Sequence, residues 1–285
     1  MLAMTDSAPV TVAPPARSSS LALATATLWR REMTRFFRQR NRVIGALLTP
    51  VVFWLVLGGG LNRAFVFPGP ADGGEVGYLE YFYPGTVVMI LLFTTIFSAY
   101  SVIEDRVAGF LQGVRVAPTP RVAIVLGKVL GGACIGWMQA VLFLLVWPFI
   151  TSGELSVLHL AGAVGVMFVV AIALTAIGFC LAWPMESTAG FHAVLNLVLF
   201  PIWFLSGALY PYESAAGWQK VAMLINPLTY GQSAFSALLR GPGAAASGGP
   251  VASIAMNVLI TVAFAVVMIG FAAAMVARPR RDGGA

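Results

Sequence analysis

The chain has 285 residues, of which 59% are hydrophobic and only 10% charged. That charge content and a mean hydropathy of +0.88 exclude a water-soluble globular domain, in which about 25% of residues are charged. A net charge of +6 would suggest nucleic acid as a partner in a soluble protein. Here the basic residues gather at the ends of apolar segments, where they report membrane topology instead, and no nucleic-acid partner is expected.

Lipid cannot hydrogen-bond exposed backbone, so the long apolar runs, which lack period-two alternation, must be helices and not barrel strands. The expected fold is an all-α integral membrane protein. It has six transmembrane helices, an N-terminal amphipathic surface helix and a short external re-entrant helical pair. Residues 1–20, rich in Pro, Ser, Ala and Thr with only Asp6 and Arg17 charged, are expected to form a disordered cytoplasmic tail. The apolar stretch from Leu21 to Trp29 is shaped like a signal-peptide core, but no convincing cleavage site precedes the arginines that follow.

Residues 21–42 are expected as an interfacial helix. Trp29, Met33, Phe36 and Phe37 recur at helical spacing, and Arg30, Arg31, Arg35, Arg38 and Arg40 fall largely elsewhere around the axis. Aromatics at the interface and arginines near anionic head groups suit a helix lying on membrane lipid. A plain positive flank to the first span fits the same residues, and both readings place the segment in the cytoplasm. The six spans are read at residues 43–61, 81–103, 122–150, 156–183, 188–210 and 251–276, with 43–276 as the transmembrane domain and 277–285 as a second cytoplasmic tail.

An even number of spans puts both termini on one side. That side carries Arg17, Arg30, Arg31, Arg35, Arg38, Arg40 and Arg42, then Arg106, Arg115, Arg121 and Lys128 around the loop between spans two and three, then Arg278, Arg280 and Arg281. The other side carries only Arg63, Lys220 and Arg240. The bias puts both termini in the cytoplasm of a multi-pass protein of the plasma (inner) membrane.

Catalytic signatures are missing. The Gly127-Lys128 pair lacks the first glycine and the hydroxyl of a phosphate-binding loop, and HExxH, CxxC and GxSxG do not occur. Cys134 and Cys180 each fall inside a span and read as small core residues, and His159 and His192 fall near opposite faces, so no metal site is expected. Glu80, Glu104, Asp105, Glu154 and Glu186 all lie at or beyond span ends. This weakens an ion-coupled carrier, which needs intramembrane carboxylates, although Asn196 and Gln139 remain available to line a path. A non-transport scaffold is the other alternative.

Between spans two and three, Val107, Phe110, Leu111 and Val114 follow i, i+3, i+4, i+7 spacing, and Pro118 and Pro120 end the pattern. This predicts a short amphipathic helix suited either to docking in another protein's groove or to resting on lipid. After span five, the segments Gly217 to Ile225 and Leu228 to Leu239 are too short to cross, with Asn226 and Pro227 suited to the N-cap and first turn of the second.

The order Glu104-Asp105-Arg106, Gly109, Phe110-Leu111 and Ala117-Pro118-Thr119-Pro120-Arg121, then Leu126-Gly127-Lys128 opening the next span, resembles the coupling loop of type-2 ABC transporter permeases. That class includes the daunorubicin-resistance, nodulation-signal and polysaccharide-export permeases. The segment Asn226-Pro227-Leu228-Thr229-Tyr230, after Tyr210-Pro211, resembles the family's external helical pair. Many members carry Thr-Leu-Glu where this chain has Phe110-Leu111-Gln112.

The resemblance implies an exporter subunit without catalytic residues or cofactors of its own. Its partners would be a second permease copy, expected as a homodimer, and a cytoplasmic ATP-binding-cassette ATPase that holds ATP and Mg. It makes Arg31, Arg35, Arg38, Glu104, Asp105, Arg106, Gly109, Phe110 and Leu111 the ATPase-coupling residues. Asn226, Pro227 and Tyr230 become an external gate, and Trp54, Asn196, Trp203 and Phe204 the lining of a substrate path. Plain packing is the simpler explanation for each of these aromatics taken individually. Interfacial anchoring is the ordinary one for most of Trp54, Tyr81, Tyr83, Trp147, Trp183, Trp203, Tyr210 and Trp218.

Overall fold

A computed structural model describes residues 20–38, 40–68, 75–110, 113, 119–151, 156–240, 249–251 and 253–278. The expected terminal tails therefore lie almost wholly outside the described residues, as do Leu111 and Val114 of the predicted loop helix. Helix α1 spans Leu21–Arg38 and α2 spans Arg40–Phe53. The first apolar segment continues through a π-helical turn, Trp54–Gly58, into the short α3, Gly59–Leu61. Two three-residue strands, β1 (Val66–Pro68) and β2 (Glu75–Gly77), pair antiparallel with Phe67 opposite Val76. The all-helical expectation did not include this hairpin.

Helix α4 (Tyr78–Ser98) is followed after a break at Ala99 by α5 (Tyr100–Val107). Then come α6 (Arg121–Leu144), α7 (Val157–Ala182), α8 (Thr188–Phe204), α9 (Gly217–Ile225), α10 (Pro227–Arg240) and α11 (Ile254–Ala277). The protein is a helical membrane protein. Among the described residues, four stretches are long and apolar enough to cross a bilayer: Tyr78–Val107, Arg121–Phe149, Val157–Ala182 and Ile254–Ala277. Two shorter apolar helices, Leu47–Leu61 and Thr188–Phe204, accompany them.

Helix α4 is the centre of the bundle. From Tyr81 to Leu92 every one of its residues is buried, which requires a helix apolar on all sides, and α2, α6, α7, α8 and α10 pack around it. Helix α11 is peripheral: only 17% of its apolar window is buried, so most of its surface faces outward. Small residues set the close approaches. Gly127 and Gly131 on α6 face α1, where an added Cβ would come 2.5 Å from Leu28 Cβ and 2.8 Å from Glu32 Cβ. Gly132 and Gly136, one position further round α6, face Ser98 and Thr95 of α4 in the same way.

The aromatic residues depart from the anchor reading. Tyr81, Tyr83, Trp54, Trp147 and Trp203 are all buried, whereas Trp218 is 69% exposed. Tyr83 stacks on Phe143 at 4.9 Å, and Trp54 stands edge-on to both. Several of them place their polar atoms on carbonyls inside the protein: Tyr83 donates to Phe143, Trp54 Nε1 to Leu79 at 2.9 Å and Trp203 Nε1 to Gly85 at 3.0 Å, whereas Trp147 Nε1 is buried without a hydrogen-bond partner among the described residues. A satisfied hydroxyl or indole N–H makes such residues good interior packing, and they do not need the bilayer interface.

Candidate functional site

At one end of the bundle, α1, α5 and α6 converge on a cluster of buried charges. The glycine pair on α6 lets α1 lie against it so closely that Glu32 reaches Lys128, whose Nζ donates to Glu32 Oε1 at 2.6 Å. Lys128 also donates to Asp105 Oδ2 and to Ser101 Oγ at 3.0 Å. Asp105 accepts a bidentate pair from Arg31, at 2.7 and 2.6 Å, and a further bond from Arg35 at 3.1 Å. Arg35 reaches on to Glu104 at 2.5 Å.

The group contains three carboxylates and three cations and is neutral as a whole. Neutrality decides whether it can exist, because a charge taken out of water without partners costs several kcal/mol. Side-chain exposure is 3% for Lys128, 2% for Asp105 and 7% for Glu32. The hydrogen bonds it donates to Asp105 hold the Arg31 guanidinium above its already high ordinary pKa, against the opposing effect of its partial burial. Arg31 also lies over the Phe110 ring, 3.8 Å from its centroid, so α1 touches the predicted coupling loop directly.

That loop differs from the single amphipathic helix expected from Val107 to Val114. Helix α5 stops at Val107, and Gly109 takes φ +73°, with its N–H on the Arg106 carbonyl at 3.0 Å. A glycine in the left-handed region just past a helix end is a helix stop that other residues adopt only with strain. The turn breaks the apolar stripe: Val107 is 76% exposed, while Phe110 packs against the core.

The charged coupling candidates fall into three groups. Arg31, Arg35, Glu104 and Asp105 bind one another. Arg38 is exposed and, with Arg30, Thr34 and Thr27, lines an open basic face of α1. Arg106 turns away from the cluster and donates to the Met185 carbonyl at 2.7 Å and to the Trp183 carbonyl, in the connection between α7 and α8. Lys128, expected at the loop, lies two turns inside α6. The sequence reading passed over both Glu32 and Lys128 as coupling residues, although each left a signal. Lys128 is the sole charge between Arg121 and Glu154, and Glu32 is the sole acid between Trp29 and Arg42. A lone charge in an apolar run needs a partner.

At the opposite end, Asn226 caps α10 through Oδ1, which accepts from the Leu228 N–H at 3.1 Å. Its Nδ2 donates to the Ile202 and Leu205 carbonyls at 2.6 and 2.8 Å, tying down the end of α8. Thr229 adds a bond to Leu205 at 3.1 Å, and Tyr230 donates to Leu224 at 2.8 Å. Pro227 opens α10, where a missing N–H is no loss. The pair is unequal: α9 buries only Met223, whereas α10 is buried among α4, α7 and α11.

Of the proposed path residues, Trp54 and Trp203 are core, while Asn196 and Phe204 lie on the exposed face of α8. A cleft of ≈ 590 Å³ opens between α2 and α8, with Phe93, Phe97 and Tyr100 on its floor, Thr49 and Pro50 on one wall, and Glu104 and His192 towards the charged cluster.

Comparison with known proteins identifies the family. The model of the ABC-2 type transporter family matches residues 24–239. The chain is similar to a putative transport permease, ycf38, of Cyanophora paradoxa, at 27% identity over 71% of this chain and 69% of the relative. It is also similar to the daunorubicin resistance ABC transporter permease protein DrrB1 of Streptomyces coeruleorubidus, at 23% identity over 80% of this chain and 78% of the relative. A helical membrane bundle with no catalytic signature, matched by the family model over most of its length, belongs to the ABC-2 type transporter family and is a non-catalytic permease subunit of the kind that works with a separate ATPase.

Proposed function

We propose that the chain exports an amphipathic, aromatic-bearing small molecule. It would do so as a six-span permease paired with a second copy of itself and driven by cytoplasmic ATPase subunits. The shorter apolar helices α2 with α3, and α8, serve as the first and fifth spans. The observation that carries the reading is the ion-paired assembly of α1, α5 and α6 beside Gly109 and Phe110. It joins the surface helix and the loop after the second span into one unit that a partner can push. Arg30, Arg31, Arg35, Arg38, Arg106, Arg121, Lys128 and Arg278 lie at that end, against Arg63, Lys220 and Arg240 at the other, which supports cytoplasmic termini.

In this reading Arg38, Gly109, Phe110 and Leu111 meet the ATPase, while Arg31, Arg35, Glu104 and Asp105 hold the surface on which they are presented. Closure of the ATPase dimer on ATP and Mg drives alternating access, and Asn226, Pro227 and Tyr230 form the external gate. The aromatic floor of the α2–α8 cleft supports a substrate carrying fused rings and a cationic group, which can stack on those rings and lie over their faces. The drug in the name of the DrrB1 relative has that chemistry.

The test is purification of the tagged chain from mild detergent. A stoichiometric ATP-binding-cassette subunit should accompany it, and daunorubicin, used as a probe, should stimulate ATP hydrolysis by the complex. Folded permease that reproducibly lacks the ATPase would refute the reading and return attention to an ion-coupled carrier.

A further inference from the structure

Helix α8 is attached to the bundle differently from its neighbours. Its buried residues are Phe191, Leu195, Leu199 and Trp203, a single stripe at four-residue spacing, and it packs on α4 and α5. His192, Ala193, Asn196 and Leu197 are exposed. At its outer end it is held by Asn226, Thr229 and the Trp203 indole. At its inner end two residues of α5, six apart, hold it. Tyr100 donates to the Thr188 carbonyl at 3.1 Å, and its ring meets His192 at 4.6 Å and Phe191 at 5.4 Å.

Arg106 bridges the Trp183 and Met185 carbonyls, with its guanidinium 5.2 Å from the Trp183 ring, which in turn stacks on Phe179 of α7. A planar guanidinium can bond two carbonyls in a fixed fork while its face lies against an indole, a geometry that the compact ammonium of lysine does not reproduce.

We propose that Arg106 is a positioning residue that transmits movement from the coupling loop to α8, by strapping the 183–188 connection to α5. The inference rests on the permease reading but assigns Arg106 a role inside the permease instead of at the ATPase surface. When α5 is displaced, the strapped connection carries the inner end of α8 with it, while the Asn226 end acts as the fulcrum. The α2–α8 cleft then changes width. Beyond the strap, the narrow apolar stripe and Tyr100 join α8 to its neighbours.

The test uses the full chain with Cys134→Ser and Cys180→Ala, spin-labelled after Ala193→Cys on α8 and Val122→Cys on α6, and diluted with unlabelled chain. The distance distribution between labels should be narrow in this parent and should broaden with Arg106→Ala. Loss of two charge-assisted hydrogen bonds should lower transport per ATP hydrolysed by at least about tenfold in the reconstituted complex, with the ATPase still bound. Arg106→Lys should recover part of both, because an ammonium can keep one carbonyl.

If Arg106→Ala cannot be purified, Tyr100→Phe, which removes only the hydroxyl bond, should shift both readouts in the same direction by less. An unchanged distance distribution, or a transport-to-hydrolysis ratio within about twofold of the parent, overturns the strap. Absence of any ATPase from the parent complex would instead overturn the permease reading, and the distance measurement would still decide the strap.

Discussion

Lys128→Met isolates the charge that the buried cluster turns on. Methionine keeps the length and apolar stem of lysine, so the change removes bonds to Glu32, Asp105 and Ser101 without opening a large cavity. Three carboxylates then face two guanidiniums in a site where Asp105 and Glu32 are nearly inaccessible to water. Removing one partner of a buried pair typically costs about 3–5 kcal/mol. At about 2–4 °C per kcal/mol for a chain of this size, the thermal midpoint of the detergent-purified protein should fall by roughly 6–20 °C.

The decisive control is Glu32→Met with Lys128→Met. It leaves Asp105 and Glu104 with Arg31 and Arg35, neutral again, and replaces an ion pair with apolar contacts, which is often neutral or stabilising. The double variant should recover most of the loss, as followed by tryptophan fluorescence on heating. A double variant no more stable than Lys128→Met would refute the claim that charge balance holds the cluster together. So would a single variant that melts within about 2 °C of the unmodified chain.

Gly131→Leu should lift α1 from α6, because even a Cβ there comes 2.8 Å from Glu32 Cβ. Faster alkylation of a cysteine placed at Leu28 would report the displacement, and an unchanged rate would contradict it. Asn226→Ala leaves the Ile202 carbonyl without its partner and α10 without its cap. About 2–4 kcal/mol of stability should go, at about 1 for the cap and 1–3 for the buried carbonyl, measurable as a lowered thermal midpoint. Phe110→Asp removes the ring beneath Arg31 from the proposed docking surface. Co-purified ATPase should drop at least about tenfold while membrane insertion persists, and wild-type ATPase content would remove Phe110 from that surface.

Much of the fold was legible because lipid makes apolar length and charge placement unusually informative. Helices α4, α6, α7 and α11 lie where long apolar runs fall, and Asn226-Pro227 opens α10 as its side chains dictate. The misreadings arise because an isolated sequence shows spacing but neither neighbours nor backbone conformation. Helical periodicity carried the loop helix straight through Gly109, whose positive φ stops α5. Interface preference assigned Tyr83 and Trp147 to the lipid boundary, although both are within 1% of complete burial. Gln139, a candidate for the path, instead accepts from Thr94 at 2.5 Å between α4 and α6. For the aromatics and Gln139 a partner distant in the chain decided the outcome, whereas at Gly109 the backbone conformation did.

The site follows the same logic, and it explains why the glycines and the charges of α6 belong together. Gly127 and Gly131 lie on either side of Lys128 along the helix, so the approach that buries the lysine is also the approach that delivers Glu32 to it. A larger residue at either glycine would leave Lys128 buried against Asp105 but missing one carboxylate, and an apolar residue at 128 would leave the close-packed α1 presenting an unpaired Glu32. Neither feature is stable without the other, so α1, α5 and α6 should move as one body. Helix α8, held by a single apolar stripe and by polar bonds at its two ends, has no comparable attachment. Relative motion between that body and α8 is therefore the displacement this architecture permits at least cost, and the cleft between α2 and α8 is where it would be felt.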